Sequence, residues 1–182
     1  MFFYSNYYIC TVKVTIRKAE AADFALVAKI GYETFFETWK DVNTPEDMAV
    51  YLKKAFNPEI ILNDLKNISN TFLLAFNDDA PIGYAKIRRD RTYEEFKGDS
   101  AIEIERIYVY NEFQSQKVGK LLMDECLKIS ITEKFQWLWL GVNIDNHKAI
   151  NFYKAYDFII FGEKGFKLGN AVDTDYLMKR KL

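Results

Sequence analysis

What this sequence lacks excludes disulfide frameworks and histidine-rich metal sites. Its 182 residues include two cysteines, one histidine, three prolines and eight glycines. Because Cys10 and Cys126 are too few for a disulfide framework, we expect two reduced thiols in a cytoplasmic protein. The single histidine, His147, is the only residue that could complete a Ser-His-Asp triad, and it cannot build a histidine-rich site. We therefore expect no metal.

The sequence also has no excess of positive or negative charge and no long apolar run. Lysine and arginine together number 25, and aspartate and glutamate 26, so the formal net charge is −1. Without a general positive field, we expect no nucleic-acid partner. The aromatic segment 1–10 is too short to span a bilayer, so we expect no membrane partner and interpret residues 1–11 as an N-terminal extension. Residues 12–182 then form one domain, since a domain commonly holds about 100–200 residues.

The side chains that are present repeat with the periods of strands and helices. Strands are predicted over residues 11–17, 71–76, 82–88, 101–110, 136–142, 158–166 and 175–181. Helices are predicted over residues 23–38, from 45 to near 57, and over 58–66, 118–132 and 146–156. This order of elements is typical of a mixed α/β sheet.

A strand, a polar loop and a helix at the centre of the chain carry the first sign of chemistry. The strand is Ile102–Val109, and the loop that follows it ends in Gly119, with Lys117 and Lys120 beside the helix start. The first turn of a helix leaves backbone N–H groups unpaired and carries partial positive charge, so a loop bent over it can hold a pyrophosphate. Taken alone, the segment is equally typical of an ordinary strand-to-helix turn.

A second strand and helix follow, and the helix carries a tyrosine that could face a cleft. Asn146 is suited to cap the helix, and Tyr153 lies seven residues later, two turns along the same face. A tyrosine at that position either packs in the core or presents its hydroxyl to a cleft as a proton donor.

The two segments together resemble the motifs of the GCN5-related N-acetyltransferase (GNAT) superfamily. The family's pyrophosphate loop, (Gln/Arg)-x-x-Gly-x-(Gly/Ala), is matched by Gln114-Ser-Gln-Lys-Val-Gly119. Its Asn-x-x-Ala-x-x-Phe-Tyr-x-x-x-Gly-Phe pattern is matched by residues 146–158, Asn-His-Lys-Ala-Ile-Asn-Phe-Tyr-Lys-Ala-Tyr-Asp-Phe. Lys117 and Asp157 stand where the family has glycine, the residue that best tolerates a left-handed backbone.

The resemblance covers about residues 14–181 and implies both a fold and a cosubstrate. The implied fold is the α/β (α+β) GNAT fold, a mixed, mostly antiparallel sheet of about seven strands flanked by helices, with a splay between the fourth and fifth strands. The implied reaction is direct transfer of an acetyl group from acetyl-CoA to an amine, without an acyl-enzyme. The residues that the resemblance places at the coenzyme are Ile107, Tyr108, Val109, Gln114, Ser115, Gln116, Lys117, Val118, Gly119, Lys120, Asn146 and Tyr153.

Two proton transfers follow from this chemistry. An aliphatic amine has a pKa of roughly 10.4, so it arrives charged and must lose a proton before it attacks. Glu103 and Glu105 alternate with isoleucines on the central strand and so share one face; either can be the base, and Glu105, nearer the expected splay, is the first choice. The departing thiolate must gain a proton, and the resemblance implies Tyr153 as the acid.

A narrower resemblance, to the PaiA-type bacterial spermidine/spermine N-acetyltransferases, implies a polyamine acceptor. A flexible polycation needs an acidic site with aromatic walls, and we expect Glu33, Glu37 and Trp39 to contribute to it. A solvated acidic helix face is the alternative interpretation of the glutamates. The matching segments are Glu33–Thr38, Asn43–Asn57, Glu103–Tyr108, Trp139–Val142 and Thr174-Asp175.

Other functions stay open at this stage. The acceptor could be another amine: a protein N-terminus, a lysine, an amino sugar or an antibiotic. A non-catalytic sensor of acyl-CoA is the alternative outside the enzymes, and Lys117 in place of the loop glycine favours it. A homodimer is possible through the aromatic N-terminus and the C-terminal strands.

Overall fold

A seven-stranded sheet forms the centre of the molecule, which the computed structural model describes from residue 13 to residue 182. The strands are β1 Val14–Lys18, β2 Asn70–Asn77, β3 Ala80–Arg88, β4 Ala101–Val109, β5 Trp137–Asn143, β6 Ile159–Leu168 and β7 Ala171–Lys181. The helices are α1 Phe24–Trp39, α2 Pro45–Ala55, α3 Pro58–Lys66, α4 Val118–Thr132 and α5 His147–Lys154. Thr11 and Val12 of the first predicted strand, and the predicted extension 1–11, lie outside the described residues.

The strands follow the spatial order β1-β2-β3-β4-β5-β7-β6, and of their six pairings only β4–β5 is parallel. This confirms the predicted mixed, mostly antiparallel sheet. Helix α4 connects the two parallel strands, as a parallel pair requires a crossover.

The helix boundaries follow the local signals in the sequence. Thr44 caps α2 by accepting a hydrogen bond from the Asp47 N–H at 3.2 Å, and Pro45 occupies the first helical position, where no N–H is needed. Asn57 caps α3 in the same way, with Pro58 after it. These caps confirm the predicted starts of both helices.

Apolar residues fill both faces of the sheet. On one face, a core that includes Leu122, Met123 and Cys126 packs under α4 and α5. On the other face, a core that includes Ile30 and Phe72 packs under α1, α2 and α3. Each large side chain buried in this way contributes about 1.5–3 kcal/mol to folding. The two layers hold β4 and β5 rigidly at the middle of the sheet.

The last hairpin is longer than predicted. The predicted strands end at residue 166 and begin again at 175, whereas β6 and β7 run on to a turn at Gly169-Asn170. Gly169 has a φ of +60° and lies so close to α2 that an added Cβ would stand 2.2 Å from an Asp47 carboxylate oxygen. Only glycine fits there, and this Gly-Asn pair is the turn signal that the prediction missed.

None of the helices described between residues 13 and 182 is long and apolar enough to cross a bilayer. Within the same range, no group of three or more histidine, cysteine, aspartate or glutamate residues has the geometry to hold a metal ion.

Candidate active site

The parallel strands β4 and β5 separate partway along their length. Their pairing runs from Ala101 opposite Trp137 to Ile104 opposite Leu140 and stops there, although both strands continue. This is the splay predicted between the fourth and fifth strands. One cleft opens at the loop before α4, and a second opens between β6 and helices α1 and α2. The two clefts share five lining residues: Ile107, Tyr108, Asn146, Ala149 and Tyr153.

A β-bulge in β4 decides which side chains face which cleft. The register with β3 shifts between Lys86 and Ile87, so that Glu105 is an extra residue next to Arg106. Glu103 and Glu105 face the second cleft, as their alternation with isoleucines predicts. Simple alternation would turn Arg106 away from them, but the bulge brings its side chain to the same cleft and turns Ile107 toward the α4 core.

The cleft at α4, here called the coenzyme cleft, has a volume of about 530 Å³. Ser115 and Lys117, in the loop before α4, have left-handed backbones with φ of +68° and +64°. This geometry turns the loop across the helix start, where the backbone N–H groups of residues 115–120 have no hydrogen-bond acceptor among residues 13–182. Lys117 therefore adopts the conformation for which the family uses glycine, at a cost in strain of about 1–2 kcal/mol.

The coenzyme cleft has the shape and charge for a pyrophosphate. An added Cβ at Gly119 would meet no atom within 4 Å, so packing within the described chain does not demand glycine, and the space lies open in front of the helix N-terminus. Lys117, Lys120 and Lys148 line the cleft. Unpaired N–H groups, a helix N-terminus and three ammonium groups form a site for an anion.

Eleven of the twelve residues predicted for the coenzyme line this cleft, and Gln116 does not. The Gln116 amide instead donates to the Glu112 carbonyl at 3.0 Å, which stabilises the loop from outside. Lys148 and Phe152 also line the cleft and were missed, because only the capping and tyrosine positions of α5 were interpreted. The eleven are Ile107, Tyr108, Val109, Gln114, Ser115, Lys117, Val118, Gly119, Lys120, Asn146 and Tyr153.

Tyr153 lies where the two clefts meet. The Asn146 side chain caps α5 by accepting from the Ala149 N–H at 3.1 Å, and Asp157 ends the helix region with a left-handed φ of +62°, at the position of the family's glycine. The ring of Tyr153 packs on Phe152 and Phe158, while its hydroxyl makes no hydrogen bond with any described residue. Burial raises its pKa above the ordinary value, so it stays protonated at neutral pH.

The second cleft, here called the acceptor cleft, has a volume of about 570 Å³. Aromatic rings from α1, α2, β4 and β6 form one wall: Phe35, Trp39, Tyr51, Tyr108 and Phe166. Charged side chains, here called the charged wall, line the rest of the cleft: Arg88, Arg91, Glu103, Glu105, Arg106, Lys164, Asp173 and Asp175. An organic amine in this cleft would therefore contact both apolar rings and charges of both signs.

The two glutamates of β4 have different surroundings. Glu105 contacts the buried Lys86 at 2.9 Å and Arg88 at 3.3 Å. Burial raises the pKa of Glu105, but Arg106, Lys86 and Arg88 outweigh burial and hold that pKa below the ordinary value. Glu103 is only 2% exposed, and its Oε2 has no hydrogen-bond partner among the described residues. Burial raises the pKa of Glu103, which Arg91 offsets only in part.

The three residues predicted for the acceptor lie in three different places. Trp39 lines the acceptor cleft, and its indole N–H donates to the Tyr108 hydroxyl at 3.5 Å. Glu37 borders the coenzyme cleft and accepts from the Asn111 N–H at 3.0 Å. Glu33 lines neither cleft and accepts a hydrogen bond from the Tyr110 hydroxyl. The structure thus uses both glutamates to fix the end of β4 to α1 and does not bring them to the acceptor cleft.

Comparison with known proteins agrees with this geometry. The profile of the acetyltransferase (GNAT) family matches residues 29–158. The chain belongs to the GNAT family. It is an acetyltransferase of that family with the GNAT fold, and the matched range contains α4, the splay and Tyr153.

Relatives of this acetyltransferase include both uncharacterised and assigned proteins. It is 32% identical over 169 residues to an uncharacterised N-acetyltransferase from the pepI 3′ region of Lactobacillus delbrueckii subsp. lactis, covering 93% of this chain and 98% of that protein. It is 23% identical over 174 residues to a spermidine N(1)-acetyltransferase of Thermoplasma acidophilum, covering 93% and 98%. A crystal structure of the PaiA N-acetyltransferase of Thermoplasma acidophilum with coenzyme A superimposes with a TM-score of 0.75 at 22% identity, covering 93% and 99%.

Proposed function

We propose that this acetyltransferase moves the acetyl group of acetyl-CoA directly onto a primary amine. The observation that carries the proposal is the meeting of two clefts at Tyr153, in the gap where β4 and β5 separate. One cleft is built for an anion and the other for an organic molecule, so two substrates can be held with their reacting ends together. Such orientation supplies several kcal/mol of the reduction in barrier.

The loop before α4 holds the pyrophosphate of the coenzyme in this proposal. The backbone N–H groups of residues 115–120 donate to it, and Lys117, Lys120 and Lys148 neutralise its charge. The open space at Gly119 lets the phosphate approach the backbone. When bound, acetyl-CoA supplies a thioester whose carbonyl carbon is open to attack by an amine.

Glu103 is the base in this proposal, in preference to Glu105. A base must have an oxygen free to accept the ammonium proton, and the buried Oε2 of Glu103 has no partner among the described residues. Its raised pKa also makes it the stronger base of the two. Glu105 is occupied by the buried Lys86 and by Arg88, so its role is to neutralise these cations.

Tyr153 is the acid. As the amine nitrogen bonds to the carbonyl carbon, the carbon–sulfur bond breaks, and the sulfur takes the proton of the Tyr153 hydroxyl. The ammonium group loses its first proton to Glu103 before it attacks. Its second proton leaves the nitrogen as the amide forms and restores the Tyr153 hydroxyl. The unpartnered Tyr153 hydroxyl at the junction of the clefts supports this assignment.

A polyamine such as spermidine or spermine is the acceptor class that the relatives suggest. A similar protein bears the name spermidine N(1)-acetyltransferase, and the aromatic wall of the acceptor cleft suits an alkylammonium chain. If carboxylates hold a polyamine, its KM must rise with added salt. A KM for spermidine that is independent of salt would count against this acceptor.

The test of the function is release of free thiol from acetyl-CoA by the purified chain with a panel of amines, together with calorimetry of coenzyme binding. We expect binding of coenzyme A and release of thiol with at least one primary amine. The sensor function, which is the alternative, predicts binding with no thiol released for any amine. Absence of heat at millimolar coenzyme would contradict both. The cytoplasmic location and the homodimer stay predictions.

A further inference from the structure

The acceptor cleft contains as many cations as anions. Its charged wall has four cationic side chains and four carboxylates. Lys167 is not counted, because side chains alternate along β6 and its side chain lies on the face opposite to that of Lys164 and Phe166. A site built for a polycation should have a clear excess of carboxylates. This balance points to an acceptor that itself carries both signs of charge.

Two of these charges, Arg88 and Glu105, already have close partners. Arg88 contacts Asp90 at 3.1 Å and Glu105 at 3.3 Å, and Lys86 contacts Glu105 at 2.9 Å and Asp64 at 2.6 Å. Lys86 is buried, so its contacts are costly to break, and Arg88 is held between two carboxylates. They are therefore not the groups that a substrate rearranges.

The contact between Arg91 and Glu103 differs from these. It is long, at 3.5 Å, and it joins a half-exposed arginine to a glutamate that is 2% exposed. An ion pair with one partner in water is weak and easily exchanged. The other oxygen of Glu103 has no partner among the described residues. Glu103 and Arg91 thus form a loose pair inside the acceptor cleft, with Glu103 as the proposed base.

An incoming ammonium group must displace Arg91 or share Glu103 with it. A polyamine brings further positive charge next to Arg91 and offers it no new partner. An amine that also carries an acidic group replaces the Arg91–Glu103 pair with two new ion pairs. Its ammonium group pairs with Glu103, and its acidic group pairs with Arg91. Because the two side chains are 3.5 Å apart, the amine and the acid must be separated by only a few bonds.

We propose that the acceptor is a primary amine bearing a nearby acidic group, a carboxylate or a phosphate, and that Arg91 recognises that group. The inference rests on the proposed acetyl transfer to an amine. It makes Arg91 a specificity-determining residue, on the polar loop between β3 and β4, that the sequence motifs did not indicate.

Matched acceptors test the inference, because only the second functional group differs between them. One set is 4-aminobutyrate, butylamine and 1,4-diaminobutane. Two further pairs separate the sources of the acid: L-alanine with L-alaninamide for a carboxylate, and O-phosphoethanolamine with ethanolamine for a phosphate. We expect the acidic member of at least one set to have a kcat/KM about tenfold or more above its neutral and basic counterparts.

The variant Arg91→Gln should abolish that preference, mainly through the KM of the acidic acceptor, and Arg91→Lys should restore part of it. The control is Lys97→Gln, which removes a cation from the same loop, since Lys97 is 78% exposed, pairs only with Glu94 among the described residues and lies outside both clefts. A higher kcat/KM for the basic or neutral member of every set overturns the inference. So does a preference that Arg91→Gln leaves unchanged.

Binding separates failure of this inference from failure of the proposed function. If no acceptor releases thiol, the proposed function fails, and calorimetry of the coenzyme-saturated protein with the same sets decides the inference. Heat from an acidic member that is lost in Arg91→Gln supports it. Heat from none of the acidic members overturns it.

Discussion

Tyr153 has the position and the protonation state of a general acid, and its hydroxyl has no evident structural role. Its hydroxyl makes no hydrogen bond with a described residue, so replacing it costs the fold little. We expect Tyr153→Phe to lower kcat by about 10²-fold or more and to leave the Kd for coenzyme A nearly unchanged.

Tyr156→Phe is the matched control, because Tyr156 follows α5, lines neither cleft and donates to Asp124 at 2.8 Å. It should keep full turnover. An unchanged rate for Tyr153→Phe at saturating substrates would remove Tyr153 as the acid.

Glu103 and Glu105 should respond to pH with opposite signs. The pKa of Glu103 is raised by burial, so its contribution to stability is present below the ordinary glutamate pKa and is lost as pH rises through the higher folded value. The pKa of Glu105 is lowered despite burial, because of its cationic neighbours, so its contribution is present above the ordinary pKa and is lost as pH falls through the lower folded value.

The glutamine variants test both signs by chemical denaturation between pH 4 and pH 8. The stability of Glu103→Gln relative to wild type should rise with pH, while its turnover falls about 10²-fold or more. Glu105→Gln should lose about 1–3 kcal/mol at neutral pH, because Lys86, 3% exposed, keeps only Asp64 as a carboxylate partner. The same trend with pH in both variants would contradict the assignment.

At the scale of elements, the start of α4 combines function with strain. Lys117 has a left-handed backbone, whereas Lys120 lies within the helix. We expect Lys117→Gly to stabilise the coenzyme-free protein by up to about 1 kcal/mol, since glycine removes the strain and part of that gain is lost to entropy. We expect Lys120→Gly, the same change three residues later, to destabilise it by about 0.5–1 kcal/mol.

Thermal unfolding of the two variants measures these opposite signs. A loss of stability in Lys117→Gly equal to that in Lys120→Gly would show that the left-handed lysine carries no strain.

At the scale of the whole molecule, Asp47 joins α2 to the turn between β6 and β7, beside the aromatic wall of the acceptor cleft. Its Oδ2 accepts from the hydroxyl of Thr44, the cap of α2, at 2.9 Å, and its Oδ1 accepts from the Asn170 N–H at 2.7 Å in the turn between β6 and β7. Tyr51 of α2 and Phe166 of β6 then pack directly against each other in the aromatic wall, with their ring centroids 5.5 Å apart. The turn therefore holds the aromatic wall together.

We expect Asp47→Ala to cost about 1–2 kcal/mol and to raise the KM of the acceptor several-fold, with no change in coenzyme affinity. Glu46→Ala is the control, because Glu46 is an exposed neighbour with no hydrogen bond or ion pair to the described residues. Denaturation and steady-state kinetics measure the two effects. Equal stability and equal acceptor KM in the two variants would show that the contact between Asp47 and the turn does not support the acceptor cleft.

Local patterns in the sequence were sufficient to predict the order of the elements and the starts of α2 and α3, and they include the motifs at residues 114–119 and 146–158. These features depend on neighbours in the chain: hydroxyl and amide caps, prolines in first turns, and the alternation of side chains. The motifs also carry the resemblance to the GNAT family, and that resemblance implied the splay, the role of Tyr153 and twelve coenzyme residues, of which eleven line the coenzyme cleft.

Tertiary structure alone decided the acceptor cleft. A bulge in β4 brings Arg106 beside Glu105, the loop after β3 brings Arg91 to Glu103, and β6 brings Lys164 to Asp175. Each of these contacts depends on a bulge, a loop path or a strand register that the residue pattern did not predict, and the effect of a charge depends on its partner in the folded chain. For the same reason Glu33 and Glu37, which looked like part of an acidic substrate site, serve to fasten the end of β4, and Asp47 fastens a turn more than one hundred residues away.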